Sequence, residues 1–160
     1  MHVSKKRGFT LVEMVLVCAI ICIVIAIGGI AWQRASVNRK LDATASAFES
    51  TLVLARQTAQ NRNGAKIVLS PPSTDTEGKW ELYPAGESNA TSIGPIPCCL
   101  GCTTDPTSAT EIEFNSAGGI NTDKTSLNSE GNVSFTFEAL GYDRNTVITL
   151  VGMTGAVVKN

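Results

Sequence analysis

The sequence predicts an α+β protein: a long N-terminal helix, transmembrane in its first half and amphipathic in its second, packed on a small, mostly antiparallel β-sheet head. Three observations carry this. An almost uninterrupted apolar run extends from Phe9 to Ile30 behind three cations, Lys5, Lys6 and Arg7. No proline occurs between Phe9 and Asn63, so one helix can continue well past that run. Beyond Gly64 the apolar spacing changes from three and four to two, the period of a strand with one buried face.

From Phe9 to about Trp32 there are enough apolar residues to cross a hydrocarbon core, which takes roughly 20 in a helix. The basic cluster in front favours a cytoplasmic N-terminus and an external C-terminal domain. A secretory signal has an apolar core of about 7–15 residues and a small-residue cleavage site after it. This run is longer and no such site follows, which leaves an ordinary signal anchor as the plain alternative. Glu13 is the one carboxylate inside the run. A lone acid in a membrane helix costs roughly 2.5–3.5 kcal/mol even on the lenient insertion scale, so it needs a partner or a task. Cys18 and Cys22, four residues apart on the same run, read as small hydrophobes.

Helical character continues beyond Ala31. Val37, Leu41, Ala45, Phe48, Leu52, Ala55 and Ala59 recur at spacings of three and four, the apolar face of an amphipathic helix. Arg39, Asp42, Glu49, Arg56, Gln60 and Arg62 mark the opposite face. The whole helix comes to about 55 residues, roughly 80 Å at 1.5 Å per residue. Gly28-Gly29 is its weakest point, at about 1 kcal/mol per glycine relative to alanine. Asn61, Asn63 and Gly64 supply suitable chemistry for its end.

In the head, Ala65–Ser70 reads as a strand closed by Pro71-Pro72, and Lys79–Tyr83 alternates as a second. The stretch 84–110 is rich in Gly, Pro, Ser, Thr and Cys and reads as a long loop. Glu111–Phe114 is a short strand, followed by a turn at Ser116–Gly119. Val133–Phe137 alternates cleanly, and Val147–Val151 with Ala156–Val158 forms a C-terminal hairpin around Gly152–Gly155. Trp80, Phe114, Phe135 and Phe137 fit a core better than a binding platform in so small a head.

Charge and chemistry narrow the function. The net charge of −1 hides an asymmetry: from Gly64 onward 5 cations face 11 acids. A polyanion partner wants a basic face, because phosphate neutralisation supplies most non-specific affinity, so this balance argues against nucleic acid. The single histidine, His2, precedes the apolar run. A Ser-His or Cys-His dyad is therefore absent from the rest of the chain, and no phosphate-cradling glycine loop stands between a strand and a helix. No catalytic site, metal site or cofactor is expected. Cys98, Cys99 and Cys102 cluster within 84–110; outside the cytoplasm they are a candidate disulfide, with one thiol left over. Cys99-Leu100-Gly101-Cys102 is formally a C-x-x-C, but it lacks the βαβ context of a redox motif and a fourth ligand for zinc. Asn121, Asp123, Asn128 and Glu130 form an oxygen-rich stretch whose spacing does not match an EF-hand, and they read as solvated turn residues.

The junction Lys5-Lys6-Arg7-Gly8 | Phe9-Thr10-Leu11-Val12-Glu13 resembles the class III signal of type IV prepilins and pseudopilins. The resemblance implies that a prepilin peptidase cuts after Gly8 and methylates the amine of Phe9. It implies that Glu13, fifth in the mature chain, pairs with the N-terminal amine of a neighbouring subunit. The implied division is a leader at 1–8, a transmembrane half-helix at 9–31, an amphipathic half-helix at 32–63 and a head at 64–160. The layout of the head is similar to the GspH/FimT group of minor pseudopilins, through Leu54–Ala59, the Lys66–Ser70 strand, Trp80, Phe114…Gly118-Gly119 and Gly155–Val158. Many related pilins carry a helix-bending proline near Gly28; its absence leans towards a pseudopilin or minor subunit. The implied role is a structural subunit of a type II secretion pseudopilus or a type IV pilus. The implied partners are other pilins or pseudopilins, the peptidase, an inner-membrane assembly platform and, before assembly, membrane lipid. The implied location is the inner membrane, single-pass, with an external head. The alternative is a filament-displayed DNA-binding minor pilin. Relatives of that kind have a basic tail after the final glycine, where this chain has Lys159 alone.

Overall fold

The computed structural model describes residues 10–159 apart from Thr74, Ala109 and Met153, and describes the backbone but not the side chains of Ala26, Ile27, Gly28 and Ile30. Lys5, Lys6, Arg7, Gly8 and Phe9, on which the leader and processing expectations fall, lie outside the described residues. The chain divides into two compact units, Met1–Ser36 and Val37–Asn160. One helix, α1, runs over Leu11–Arg62.

In the second unit α1 turns one apolar stripe inward. Leu41, Ala45, Phe48, Leu52, Ala55 and Ala59 are fully buried, at alternating steps of four and three, and Val37 is partly buried against them. Three of the six are alanines, which lets the strands approach the helix closely. The helix ends where the sequence expects. Asn63 adopts a left-handed conformation (φ 63°), and the Gly64 N–H donates to the Ala59 carbonyl at 2.9 Å. That is the six-to-one bond of a Schellman stop, with asparagine in the left-handed position.

The head holds two sheets, not one. β1 (Ala65–Ser70), β2 (Gly78–Pro84), β3 (Ser92–Ile96) and β5 (Glu111–Phe114) form a four-stranded sheet in the order β3-β2-β1-β5. β4 (Leu100–Asp105), β6 (Asn132–Ala139), β7 (Asn145–Val151) and β8 (Ala156–Lys159) form a second in the order β4-β6-β7-β8. Every pairing is antiparallel. Both sheets contribute to one core: Ile67, Leu69, Trp80, Leu82, Ile96 and Ile112 from the first, Leu100, Val133, Phe135, Phe137, Ile148 and Leu150 from the second. Phe48 joins them. Its ring meets Trp80 edge-on at 5.3 Å, Phe135 at 4.9 Å and Phe137 at 5.4 Å. The aromatic residues are thus core, as their alternation implies.

The stretch 84–110, read as a loop, contains β3 and β4. Both are edge strands, and edge strands tolerate residues that central ones do not. Pro95 lies in β3, and Gly94 lies opposite Trp80 in the β2–β3 register. A β-carbon on Gly94 would stand 2.1 Å from Trp80 Cε2 and Cζ2. The indole cannot move aside: it is 2% exposed, its Nε1–H donates to Thr51 Oγ1 at 3.1 Å, and Phe48 packs on its edge. Gly94→Ala is therefore expected to destabilise the head by about 1–3 kcal/mol, as overpacking does. Thermal unfolding followed by near-UV circular dichroism should show a drop of roughly 5–15 °C; an unchanged midpoint would mean the ring has room.

Candidate functional site

The features that set this chain apart lie at the start of α1. Thr10 caps the helix: its hydroxyl accepts the Glu13 N–H at 3.3 Å, and its carbonyl accepts the N–H groups of Glu13 and Met14 at 3.1 and 3.2 Å. Thr10-Leu11-Val12-Glu13 is the Thr-x-x-Glu spacing of a capping box, which puts Glu13 in the first turn. A carboxylate there also lies at the positive end of the helix macrodipole. Thr10 is a positioning residue that the sequence reading passed over, although the four-residue spacing was there to be read.

Around Glu13 the helix is apolar on every side. Leu11 is 81% exposed and Ile25 67% exposed, and the side chains between them are exposed as well. A helix hydrophobic all round belongs in a large core or a bilayer, not in water. Among the described residues, no helix is long and apolar enough to cross a membrane; the described side chains pause at Ile25, short of the roughly 20 residues a span needs. Cys18 and Cys22 lie exposed on this helix with free thiols. None of the ion pairs among the described residues involves Glu13.

The head cysteines, the candidate disulfide, lie where the chain crosses from one sheet to the other. Cys98 and Cys99 occupy the middle of a turn that carries the chain from the first sheet to the second, closed by the Leu100 N–H donating to the Pro97 carbonyl at 2.9 Å. Cys102 lies inside β4 opposite Phe137. All three thiols are free. At about 3.3 Å per residue the extended chain holds the Cα atoms of Cys99 and Cys102 about 10 Å apart, beyond the roughly 7 Å a disulfide can bridge. Neighbouring Cys98 and Cys99 have Cα atoms about 3.8 Å apart, closer than a disulfide ordinarily allows. Burial also pushes the Cys102 thiol up to about 12, so it stays protonated near neutral pH and is a poor nucleophile.

The oxygen-rich stretch is occupied with turn formation. Asn121 Oδ1 accepts the Asp123 N–H at 3.3 Å, and Asn128 Oδ1 accepts the N–H groups of Glu130 and Asn132 at 3.1 and 2.9 Å. Among the described residues no group of three or more His, Cys, Asp or Glu could hold a metal ion. The tail after Gly155 does not present a free basic arm either: Lys159 Nζ donates to Ser46 Oγ on α1 at 2.9 Å. Arg144 reaches the same helix, donating to both carboxylate oxygens of Asp42 at 3.0 and 3.2 Å.

Three comparisons bear on this geometry. The family model for the prokaryotic N-terminal methylation motif matches residues 3–29. No curated protein matches the sequence. Among solved structures, the chain is similar to the type IV minor pilin FimU of Pseudomonas aeruginosa (strain PAO1) in two crystal forms. One has a TM-score of 0.57 at 14% identity, over 77% of this chain and 90% of that one. The other has a TM-score of 0.56 at 14% identity, over 75% and 92%. At that identity the likeness is one of fold: a long N-terminal helix packed on antiparallel sheets.

Proposed function

We propose that this chain, which carries a prepilin methylation motif on the fold of a type IV minor pilin, is a structural subunit of a type IV pilus or a type II secretion pseudopilus. The observation that carries the reading is the all-round apolar start of α1 with one carboxylate, Glu13, in its first turn. Such a surface is a cost in water and becomes an asset only in lipid or against like helices.

Before assembly, the run from Phe9 to Ala31 holds the subunit in the inner membrane by a single pass, with the leader cytoplasmic and the head outside. Prepilin peptidase removes residues 1–8 and methylates Phe9. An inner-membrane platform then lifts the subunit out of lipid into a bundle of neighbouring pilin helices, where Glu13 pairs with the amine of a neighbouring Phe9. The role is structural and non-catalytic.

Processing tests the reading first. A peptidase that admits only a very small residue before the cut leaves Gly8→Val at full length. That variant is expected to accumulate as unprocessed precursor, visible as a slower band on a denaturing gel, with mature protein reduced at least about tenfold. Normal trimming of Gly8→Val would remove the proposed cleavage from the account.

A further inference from the structure

A cleft of about 500 Å³ opens beside the C-terminal end of α1, over the outer face of the first sheet. That volume falls within the range of small-molecule sites, roughly 300–1,000 Å³. Tyr83, Lys66 and Glu113 stand side by side across β2, β1 and β5 in the strand register, and Lys124, Asn115 and Asn121 complete the wall. Lys66 Nζ lies 5.9 Å from the centre of the half-buried Tyr83 ring.

The charges of this cleft are already matched. Lys124 pairs with Glu113 at 2.9 Å, Lys66 with Glu111 at 3.4 Å, and Glu87 on the rim with Arg62. An ionic ligand would have to displace one of these partners, and an anion would also face the negative end of the α1 macrodipole. The two carboxamides are orientated by their own backbone. Asn115 Oδ1 accepts the N–H groups of Ala117 and Gly119, each at 3.0 Å, and Asn121 Oδ1 accepts that of Asp123 at 3.3 Å. Their amide nitrogens are what remain to contact a guest. The wall thus offers donors from lysine and asparagine, acceptors from glutamate, no net charge, and one aromatic surface.

We propose that this cleft binds a neutral, hydroxyl-rich ligand of the class of short oligosaccharides, with Tyr83 as the stacking surface. A hydroxyl both donates and accepts, so a polyol satisfies this mixed wall without breaking its ion pairs. A sugar's C–H face supplies the apolar patch that a tyrosine ring favours. The inference does not rest on the filament reading.

Saturation-transfer NMR on the full-length protein in a detergent without a sugar headgroup tests it. The probes are maltotriose, as a plain hexose polymer, and chitotriose, as an amino-sugar polymer of the cell-wall type. Each is used at about 5 mM, where a millimolar Kd gives majority occupancy. At least one is expected to show saturation that weakens about tenfold in Tyr83→Ala, persists in Tyr83→Phe and weakens in Lys124→Met. Lys124→Met is the independent check should Tyr83→Ala unfold, since the Lys124 side chain is 61% exposed. No saturation from either sugar, saturation indifferent to both Tyr83→Ala and Lys124→Met, or displacement of the sugar by inorganic phosphate would each overturn the proposal.

Discussion

Glu13→Leu is expected to leave membrane insertion intact and to abolish entry into the filament. The substitution replaces the only acid in an apolar segment, so anchoring in lipid becomes easier by about 2.5–3.5 kcal/mol on the insertion scale. Assembly moves the other way. Among packed apolar helices the amine of a neighbouring Phe9 would lose its counter-charge. Removing one partner of a buried pair costs about 3–5 kcal/mol, because the other charge is left uncompensated. That corresponds to more than about a hundredfold at each subunit contact. Membrane fractionation and immunoblotting of sheared filaments separate the two effects. Wild-type incorporation of Glu13→Leu would remove the proposed pairing and leave Glu13 as a helix-capping residue beside Thr10. The backbone bond to the Thr10 hydroxyl survives the substitution, since it uses the Glu13 N–H and not its side chain.

Phe48→Ala should be among the most damaging changes in the head. Its ring is fully buried and touches aromatic residues of both sheets, Trp80 on one side and Phe135 and Phe137 on the other. Truncation removes the wedge that lets two sheets share one helix, and no neighbour is free to collapse into the void. Trp80 is tethered to Thr51, while Phe135 and Phe137 are fixed by pairing with both β4 and β7. A Phe→Ala change in such a place costs about 3–5 kcal/mol. The unfolding midpoint of the head should fall by at least about 15 °C. Val53→Ala, on the half-exposed side of the same helix, serves as the comparison and should stay within about 0.5 kcal/mol. Equal midpoints for the two variants would mean that Phe48 is not the joint between the sheets.

How far the sequence could be read depended on how strongly each segment is periodic. The stripe from Leu41 to Ala59 was legible because burial against the head demands the three-and-four spacing, and all six residues are fully enclosed. β1, β6 and β7 were legible because they sit inside their sheets and bury one face, which forces alternation. β3 and β4 were hidden because they lie at edges. There, a proline such as Pro95 is tolerated, Gly94 answers to the Trp80 ring, and β4 buries little beyond Leu100. The cysteines straddle the crossing between the sheets: Cys98 and Cys99 lie in the turn before β4, and Cys102 lies in the strand, paired to β6. The division into two sheets was not written in any single segment, because it depends on which strands meet. Thr10 was missed for another reason: its spacing to Glu13 was read only as part of a processing signal.

The most direct test of the central claim is intact and N-terminal peptide mass spectrometry of the native polypeptide. The account predicts a chain that begins at Phe9 with one added methyl group on its amine. A native chain still beginning at Met1, with an unmodified terminus, would contradict it.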